Sequence, residues 1–189
     1  MKKIYLFFVC TPSIVSRAIK KYTKDSYTHV AISVDPKMRE FYSFARRYSY
    51  SPLPAGFVLE SIDNSFYRRN SESQCKVIEV DVTEEQYTAV KRKLKLMYEN
   101  RYDYKYNLMG LLLYSRNVSL QRKYHRFCSE FVSEILKENN IMYSQKSPQK
   151  IRPIDLMRIE NSNDIYEGTI GKYTSYNAVY SDEMVMSHG

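Results

Sequence analysis

The sequence predicts an α+β fold in which an antiparallel sheet packs against amphipathic helices. In the segment THVAISV, Val30, Ile32 and Val34 alternate with small or polar residues, which is the period of a half-buried β-strand. Asp35 and Pro36 then turn the chain into a second strand-like segment, EFYSFA, and the two segments together predict a hairpin. Later segments instead repeat apolar residues at helical spacing, so the chain mixes hairpins with helices.

The N-terminal half predicts strands with a single helix between them. Residues 3–9 are a nearly continuous apolar run, as expected for a buried strand. Thr11 and Pro12 provide an N-cap and a first helical residue, and the helix is expected to end near Lys24 with an inner stripe. That stripe consists of Val15, Ala18, Ile19 and Tyr22. After the hairpin, the segment YSYSPLPAG is expected to be a loop, with strands at FVLES, starting at Gly56, and at KVIEVDV.

The C-terminal half predicts helices followed by a last strand. Thr83 and Gln86 form a capping box, and apolar residues at helical spacing extend to about Asn100. The segment YNLMGLLLY is apolar on all sides, which favours a buried helix. A further helix starts near Cys128 and is expected to end at Asn139, and DIYEGTIGKY resembles a final strand.

The chain is expected to form a single domain. Residues 1–174 show no internal repeat and no linker, and their length is sufficient for a substantial core. Residues 175–189 are expected to be a loose C-terminal tail.

Composition and charge restrict the classes of function. Apolar residues make up 43% of the 189 residues, as in globular proteins, and the net charge is +8. The charge favours anionic partners and allows peripheral contact with a membrane, but no nucleic-acid-binding motif accompanies it. Three cysteines without a CxxC pair argue against a disulfide framework and for a reducing, cytoplasmic location. The opening MKKIYLFFVC has too short an apolar run for a signal peptide, and no stretch approaches the ~18 apolar residues of a membrane span.

Cys128 and His29 are the candidate nucleophile and base. Cys128 opens the helix FCSEFVSEIL, and unpaired N–H groups at a helix N-terminus favour a thiolate. His29 opens the strand THVAIS, on a face shared with Ala31 and Ser33, which are small enough to let a helix end approach. An imidazole beside a thiol can accept its proton and later deliver that proton to a leaving group. A cysteine on the apolar face of a helix is also a common packing residue, so the spacing alone leaves both readings open.

Together, the early YTHVAIS and the late FCSEFVSEIL resemble the circularly permuted branch of the NlpC-type papain-like cysteine hydrolases, the YiiX-like group. In this group the histidine strand precedes the cysteine helix, and here His29 lies 99 residues before Cys128. The resemblance covers about residues 3–156 and ends at the proline-containing segment IRPIDLM. It implies a papain-like fold and acyl transfer through Cys128 and His29.

The resemblance also implies a third catalytic residue, Glu60. Relatives place a glutamate on a strand after the histidine, in a context like that of FVLES, where it orients the imidazole. The strand that directly follows His29 has no acidic residue at its centre, where Ser43 stands instead. Glu60, Ser43 and an ordered water therefore remain alternative orienting groups.

Other candidate residues have weaker support. His125 is expected in the loop before the cysteine helix, His188 lies in the tail, and Tyr27 stands near His29 as a possible oxyanion donor. Cys10 and Cys75 have no neighbouring base in the sequence. No metal site and no cofactor is expected, because the cysteines and histidines lack ligand-pair spacing.

These patterns predict a thiol hydrolase or acyltransferase that forms an acyl-enzyme from an amide or ester. The resemblance implies either peptide or isopeptide amides or lipid acyl groups as substrates, and the positive charge favours an anionic one. The alternative is a catalytically inactive binding module of the same fold, for lipid or peptide ligands.

Overall fold

A computed structural model describes residues 1–12, 14–48, 51–106 and 125–176. The fold is α+β, as the sequence predicts. Among the described residues, none of the helices is both long enough and apolar enough to cross a membrane.

Six strands form a continuous antiparallel sheet in the order β4-β3-β2-β1-β5-β8, and two short strands extend it beyond β4. The strands are β1 (Lys2–Cys10), β2 (His29–Ser33), β3 (Phe41–Tyr48), β4 (Ser51–Glu60), β5 (Gln74–Val82), β6 (Lys105–Tyr106), β7 (His125–Arg126) and β8 (Ser162–Thr169). The short strands β6 and β7 pair with each other in parallel. β1 lies at the centre and pairs with both β2 and β5, which explains its continuous apolar run.

The helices lie before, between and after these strands. They are α1 (Ile14–Thr23), α2 (Ser65–Arg69), α3 (Glu84–Glu99), α4 (Cys128–Glu138) and α5 (residues 170–176). Two short 3₁₀ helices, Pro148–Lys150 and Pro153–Leu156, follow α4. α4 packs against β2 and β3 and against both 3₁₀ helices.

Two hydrophobic cores cover the two faces of the sheet. The first contains Val30 and Ile32 of β2 together with buried residues of α3 and α4. The second contains Ala31 of the same strand with Phe41, Tyr67 and residues of α5. The alternation predicted for β2 is therefore confirmed, with successive residues entering opposite cores.

Several predicted elements agree closely with the structure. The capping box of α3 forms as predicted, because the Gln86 side chain accepts from the Thr83 N–H at 2.9 Å and the Thr83 hydroxyl accepts from the Gln86 N–H at 3.2 Å. α4 ends one residue before Asn139, and its inward residues are buried. These residues are Phe131, Val132, Ile135 and Leu136, and each contributes about 1.5–3 kcal/mol through burial.

Other elements differ from the sequence-based expectation. β4 starts at Ser51 rather than Gly56, so most of the expected proline-rich loop belongs to a strand. Prolines are tolerated there because β4 lies near the edge of the sheet. The register of its outer side with β6 joins Gly56 to Lys105, and Gly56 comes after the prolines. The segment expected to be one last strand divides into β8 and α5, and His125 lies in a short strand instead of a loop.

Two expectations concern residues that the structure does not describe. The buried helix expected at YNLMGLLLY covers residues 106–114, and most of the expected tail falls on residues 177–189. Except for Tyr106, which ends β6, both lie outside the described residues. Residues 175 and 176, expected to begin the tail, complete α5.

Candidate active site

Cys128 is the first residue of α4, and the chain enters that helix in an extended conformation at Phe127. The carboxylate of Glu130 accepts a hydrogen bond from the Phe127 N–H at 3.1 Å, and the Phe131 N–H donates to the Phe127 carbonyl at 3.0 Å. Residues of the first turn of α4 thus hold the backbone at Phe127, where the helix starts. The apolar stripe behind Cys128 then anchors the helix to the first core.

The thiol of Cys128 is almost completely enclosed, with 5% of the residue exposed. Burial raises its pKa, although the backbone at Val30, Ser129 and Cys128 itself favours the thiolate and acts in the opposite direction. The sequence-based expectation of a lowered thiol pKa is therefore not met, because desolvation outweighs the helix N-terminus. The influence of Val30 on this pKa is informative, since Val30 is the residue that follows His29.

His29 is the first residue of β2 and pairs with Val9 of β1. Burial lowers the pKa of its imidazole to about 4, and the nearby guanidinium of Arg46 acts in the same direction. At neutral pH the imidazole is therefore neutral and the thiol of Cys128 is protonated. The two candidate groups are thus an uncharged thiol and an uncharged imidazole, not a thiolate and an imidazolium.

Glu60, at the end of β4, lies beside His29. Its Oε1 is 4.0 Å from Nε2 of His29, and both side chains are largely buried. Burial raises the pKa of this carboxyl group, while hydrogen bonds from Ser43 and Tyr67 and the charge of Arg46 oppose the shift. The structure therefore brings His29 and Glu60 together, as the resemblance implies.

Ser43 and Tyr67 hold the two oxygens of Glu60. The Ser43 hydroxyl donates to Oε1 at 2.6 Å, and the Tyr67 hydroxyl donates to Oε2 at 3.1 Å. Ser43 and Glu60, which the sequence left as alternatives, thus belong to one hydrogen-bonded unit. Oε1, the oxygen nearest His29, is the one that Ser43 holds.

Sequence reasoning missed Tyr67 and the helix that carries it. The side chain of Asn64 caps α2 by accepting from the N–H groups of Phe66 and Tyr67, at 2.9 and 3.1 Å. An asparagine shortly before an aromatic pair is a usable N-cap signal, but a five-residue helix has no periodicity. With nineteen tyrosines in the chain, nothing singled out Tyr67.

The two sides of the site approach the start of β2 from opposite faces of the sheet. Cys128 belongs to the core that contains Val30, whereas Tyr67 belongs to the core that contains Ala31. α4 therefore packs on the face of Val30 and Ile32, and not on the small-residue face that the sequence favoured. The candidate site therefore combines a thiol from one face of the sheet with a carboxyl group whose partner, Tyr67, belongs to the other face.

The remaining candidates lie elsewhere or have other partners. The Tyr27 hydroxyl donates to Glu167 Oε1 at 2.9 Å, so it is engaged outside the site. Cys75 is buried, and burial raises its pKa to about 12. His125 lies in β7, and His188 is outside the described residues.

In the part of the chain that the structure describes, no group of three or more histidine, cysteine, aspartate or glutamate residues is arranged to hold a metal ion. Neither a protein-family model nor a curated protein matches this sequence.

Proposed function

We propose that the chain is a thiol hydrolase or acyltransferase of the permuted NlpC-type, papain-like kind, and that it cleaves an amide or ester through an acyl-enzyme on Cys128. The observation that carries the proposal is the convergence of three groups at the start of β2: the thiol of Cys128 is influenced by the backbone of Val30, the residue after His29, and Glu60 lies 4.0 Å from the imidazole of His29. A cysteine, a histidine and a buried carboxyl group are the parts that acyl transfer requires.

Cys128 is the proposed nucleophile. In the first step its sulfur attacks the carbonyl carbon while the thiol proton passes to the imidazole, so that one S–C bond forms as the S–H bond breaks. This coupled transfer fits a resting pair of neutral thiol and neutral imidazole. The negative oxygen of the tetrahedral intermediate then needs N–H donors, and the backbone at the start of α4 supplies them.

His29 is the proposed base and then the proposed acid. Its Nε2 is the nitrogen nearest Glu60, which leaves Nδ1 to exchange the proton with Cys128. When the tetrahedral intermediate collapses, the imidazolium delivers the proton to the leaving amine or alcohol, and the acyl group remains on the sulfur. Water or another acceptor then gives its proton to the imidazole and takes the acyl group as the S–C bond breaks, and the imidazolium returns the proton to the departing sulfur, which restores the free thiol and the neutral imidazole.

Glu60 is the proposed orienting group. At 4.0 Å its Oε1 is beyond hydrogen-bond distance from the imidazole, so the contact is expected to shorten when His29 becomes positively charged. Ser43 and Tyr67 hold both carboxyl oxygens in place and so limit the movement that is needed. The carboxyl group is thus preorganised to stabilise the imidazolium that forms during each step.

The substrate class follows less directly from the residues. We propose a peptide or isopeptide amide, or a lipid acyl ester or amide, with a preference for anionic substrates because the chain carries a net charge of +8. The three cysteines are free thiols, which fits a reducing compartment such as the cytoplasm. A peripheral contact with an anionic membrane is compatible with the same charge.

One observation favours the alternative, a catalytically inactive binding module. The thiol is only 5% exposed and its pKa is raised, which are features of a packing cysteine. On this reading the same fold binds a lipid or peptide without forming a covalent bond.

Intact-protein mass spectrometry distinguishes the two functions. The protein is mixed with p-nitrophenyl esters of increasing acyl length, with acylated peptide amides and with vesicles of phosphatidylcholine and phosphatidylglycerol. We expect the wild-type protein to gain the mass of one acyl group and to lose it on addition of hydroxylamine. Cys128→Ala and His29→Ala should not gain the mass, whereas Cys10→Ala, the matched control, should behave like the wild type.

An adduct that persists in Cys128→Ala would contradict the assignment of the nucleophile. Saturable binding of the same peptides or vesicles without any adduct would instead support the binding module.

A further inference from the structure

We infer that Arg152 is a positioning residue which, through Asp25, holds the loop before His29 against the start of the cysteine helix. Arg152 belongs to the segment IRPIDLM, residues 151–157, which follows α4 and contributes no group to the proposed chemistry. The inference rests on the proposed function, because it concerns the alignment of Cys128 with His29.

The first contact joins this segment to α4. The hydroxyl of Ser129, the residue next to Cys128, donates to the carbonyl of Ile151 at 2.7 Å, and this hydrogen bond is buried. Ile151 itself is 4% exposed and belongs to the first core. The backbone at residue 151 is therefore fixed to the first turn of the helix that carries the thiol.

The second contact joins the next residue to the loop before β2. Nη1 of Arg152 donates to Oδ1 of Asp25 at 3.2 Å, and the side chain of Asp25 is only 10% exposed. Lys24, the residue after α1, has a left-handed backbone conformation with φ 59°, and Asp25 follows it. Asp25 stands four residues before His29, so the ion pair reaches the segment that leads into the histidine strand.

Further contacts fix the orientation of Arg152. Its own N–H donates to Oδ2 of Asp155 at 2.9 Å, and Nζ of Lys146 donates to Oδ1 of the same carboxylate at 2.9 Å. Asp155 thus holds the backbone of Arg152 while the guanidinium reaches across to Asp25. Two consecutive residues, Ile151 and Arg152, then connect the neighbour of the nucleophile with the loop before the base.

Breaking the Arg152–Asp25 pair should therefore alter the site itself. An exposed ion pair contributes little, but removing one partner of a buried carboxylate leaves a charge without compensation. The loop of residues 25–28 is then expected to move away from α4 and to admit water to His29. Small losses of alignment between reacting groups are costly, and a displacement of about 1 Å can reduce the rate about 100-fold.

Titration of His29 by NMR tests the inference without any substrate. The chain has only three histidines, so the imidazole signals of His29 can be assigned with His29→Gln. In the wild-type protein the enclosed His29, facing Arg46 and Glu60, should titrate near pH 4. In Asp25→Asn and in Arg152→Gln we expect its pKa to rise toward the ordinary value of about 6.5.

The double variant and two controls make the test specific. Asp25→Asn combined with Arg152→Gln should shift the pKa of His29 no further than the larger single effect, because both changes break the same link. Lys150→Gln removes an exposed charge two residues before Arg152, and it should leave the pKa unchanged. Arg152→Lys, which retains the charge, should give a smaller shift than Arg152→Gln.

Several results would overturn the inference. One is a pair of single variants that lower the unfolding temperature but leave the pKa of His29 unchanged, which would show a merely structural role. Another is additive shifts in the double variant. If Arg152→Gln does not fold, Asp25→Asn decides the question alone, because it changes a different element.

The kinetic measurement separates this inference from the proposed function. On any substrate that acylates Cys128, we expect both single variants to lower kcat about 10- to 100-fold with little change in KM. Failure of the wild-type protein to form an adduct would count against the proposed function only, since the NMR titration would still show whether the pair positions His29.

Discussion

At the scale of single residues, burial determines the chemistry of the site more than sequence position does. The helix N-terminus favours a thiolate at Cys128, yet enclosure raises the thiol pKa and lowers that of His29. Both shifts favour the uncharged forms, so the thiol and the imidazole are both expected to be uncharged before a substrate binds. Glu60 is likewise buried, and its hydroxyl partners are what make a carboxylate tolerable there.

Variants of Glu60 and of its two partners should rank in a defined order. We expect Glu60→Gln to lower kcat/KM on any acyl substrate by about 10- to 10,000-fold, because the imidazolium loses its counter-charge. Ser43→Ala and Tyr67→Phe each remove one hydrogen bond from the carboxyl group. Each should lower kcat/KM less than Glu60→Gln does, by about 10-fold. Steady-state kinetics across the three variants measures the order.

Tyr27→Phe is the matched control, because it removes a tyrosine hydroxyl that donates to Glu167 instead of Glu60. Full activity in Glu60→Gln together with a defect in Ser43→Ala would assign the orienting role to Ser43. No effect from either change would indicate a catalytic dyad.

At the scale of elements, local signals predicted what local interactions determine. The capping box of α3, the alternation of β2 and the apolar stripe of α4 all lie within a few residues of the chain, and each element forms where its pattern indicated. β4 was predicted too short because its prolines indicated a loop. A proline is in fact permitted in a strand where the side that would need its N–H has no partner strand, and a sequence does not show which side is paired. The contact of Tyr67 with Glu60 depends on how α2 folds back onto the sheet, which no local pattern reports.

Gly56 is the position in β4 where the strand cannot accept a side chain. A Cβ there would lie 2.4 Å from the Tyr104 carbonyl oxygen and 2.8 Å from Nη2 of Arg47. That guanidinium also donates to the Arg101 and Tyr104 carbonyls at 2.7 and 3.1 Å, so it holds the turn that leads into β6. The close approach of β4 to this turn therefore requires a glycine.

We expect Gly56→Ala to lower the free energy of unfolding by about 1–3 kcal/mol, because backbone atoms must move to relieve the clash. Urea denaturation measures the change. Gly168→Ala is the matched control in β8, where the atom nearest to an added Cβ is the Tyr166 hydroxyl at 2.6 Å, which belongs to a side chain rather than to the backbone. An equal loss in both variants would argue against a backbone clash at Gly56.

At the scale of the whole molecule, one sheet separates two cores and the candidate site lies where they meet at the start of β2. Sequence reasoning gave the candidate nucleophile, the candidate base and the candidate carboxyl group as separate motifs, and the structure brings His29 and Glu60 to 4.0 Å. Sequence reasoning did not identify the face of β2 on which α4 packs. A strand with apolar residues on one face and small residues on the other can accept a helix on either face. In the structure, residues of α2 and α5 share a core with Ala31, and α4 packs on the opposite face.

The buried histidine also links the site to the pH dependence of stability. His29 titrates at about 4 in the folded protein and near 6.5 in an unfolded chain, so the unfolded state binds more protons between these values. Its contribution to stability is therefore present above pH 6.5 and is lost as the pH falls toward 4. The raised pKa values of Glu60, Glu130 and Glu134 act in the opposite direction, since stability from these groups declines as the pH rises above about 4.5.

Comparing the wild-type protein with His29→Gln isolates the histidine from these opposing carboxyl groups. We expect the difference in unfolding free energy, wild type minus variant, to increase by about 2–3 kcal/mol between pH 4 and pH 7, because only the wild-type protein must keep an imidazole uncharged. Urea denaturation followed by circular dichroism at intervals across this range measures it. His188→Gln, in the segment that the sequence predicts to be a loose tail, should show no such trend. Parallel curves for the wild-type protein and His29→Gln would mean that His29 titrates normally in the folded state, and the neutral resting pair on which the coupled proton transfer depends would then have to be abandoned.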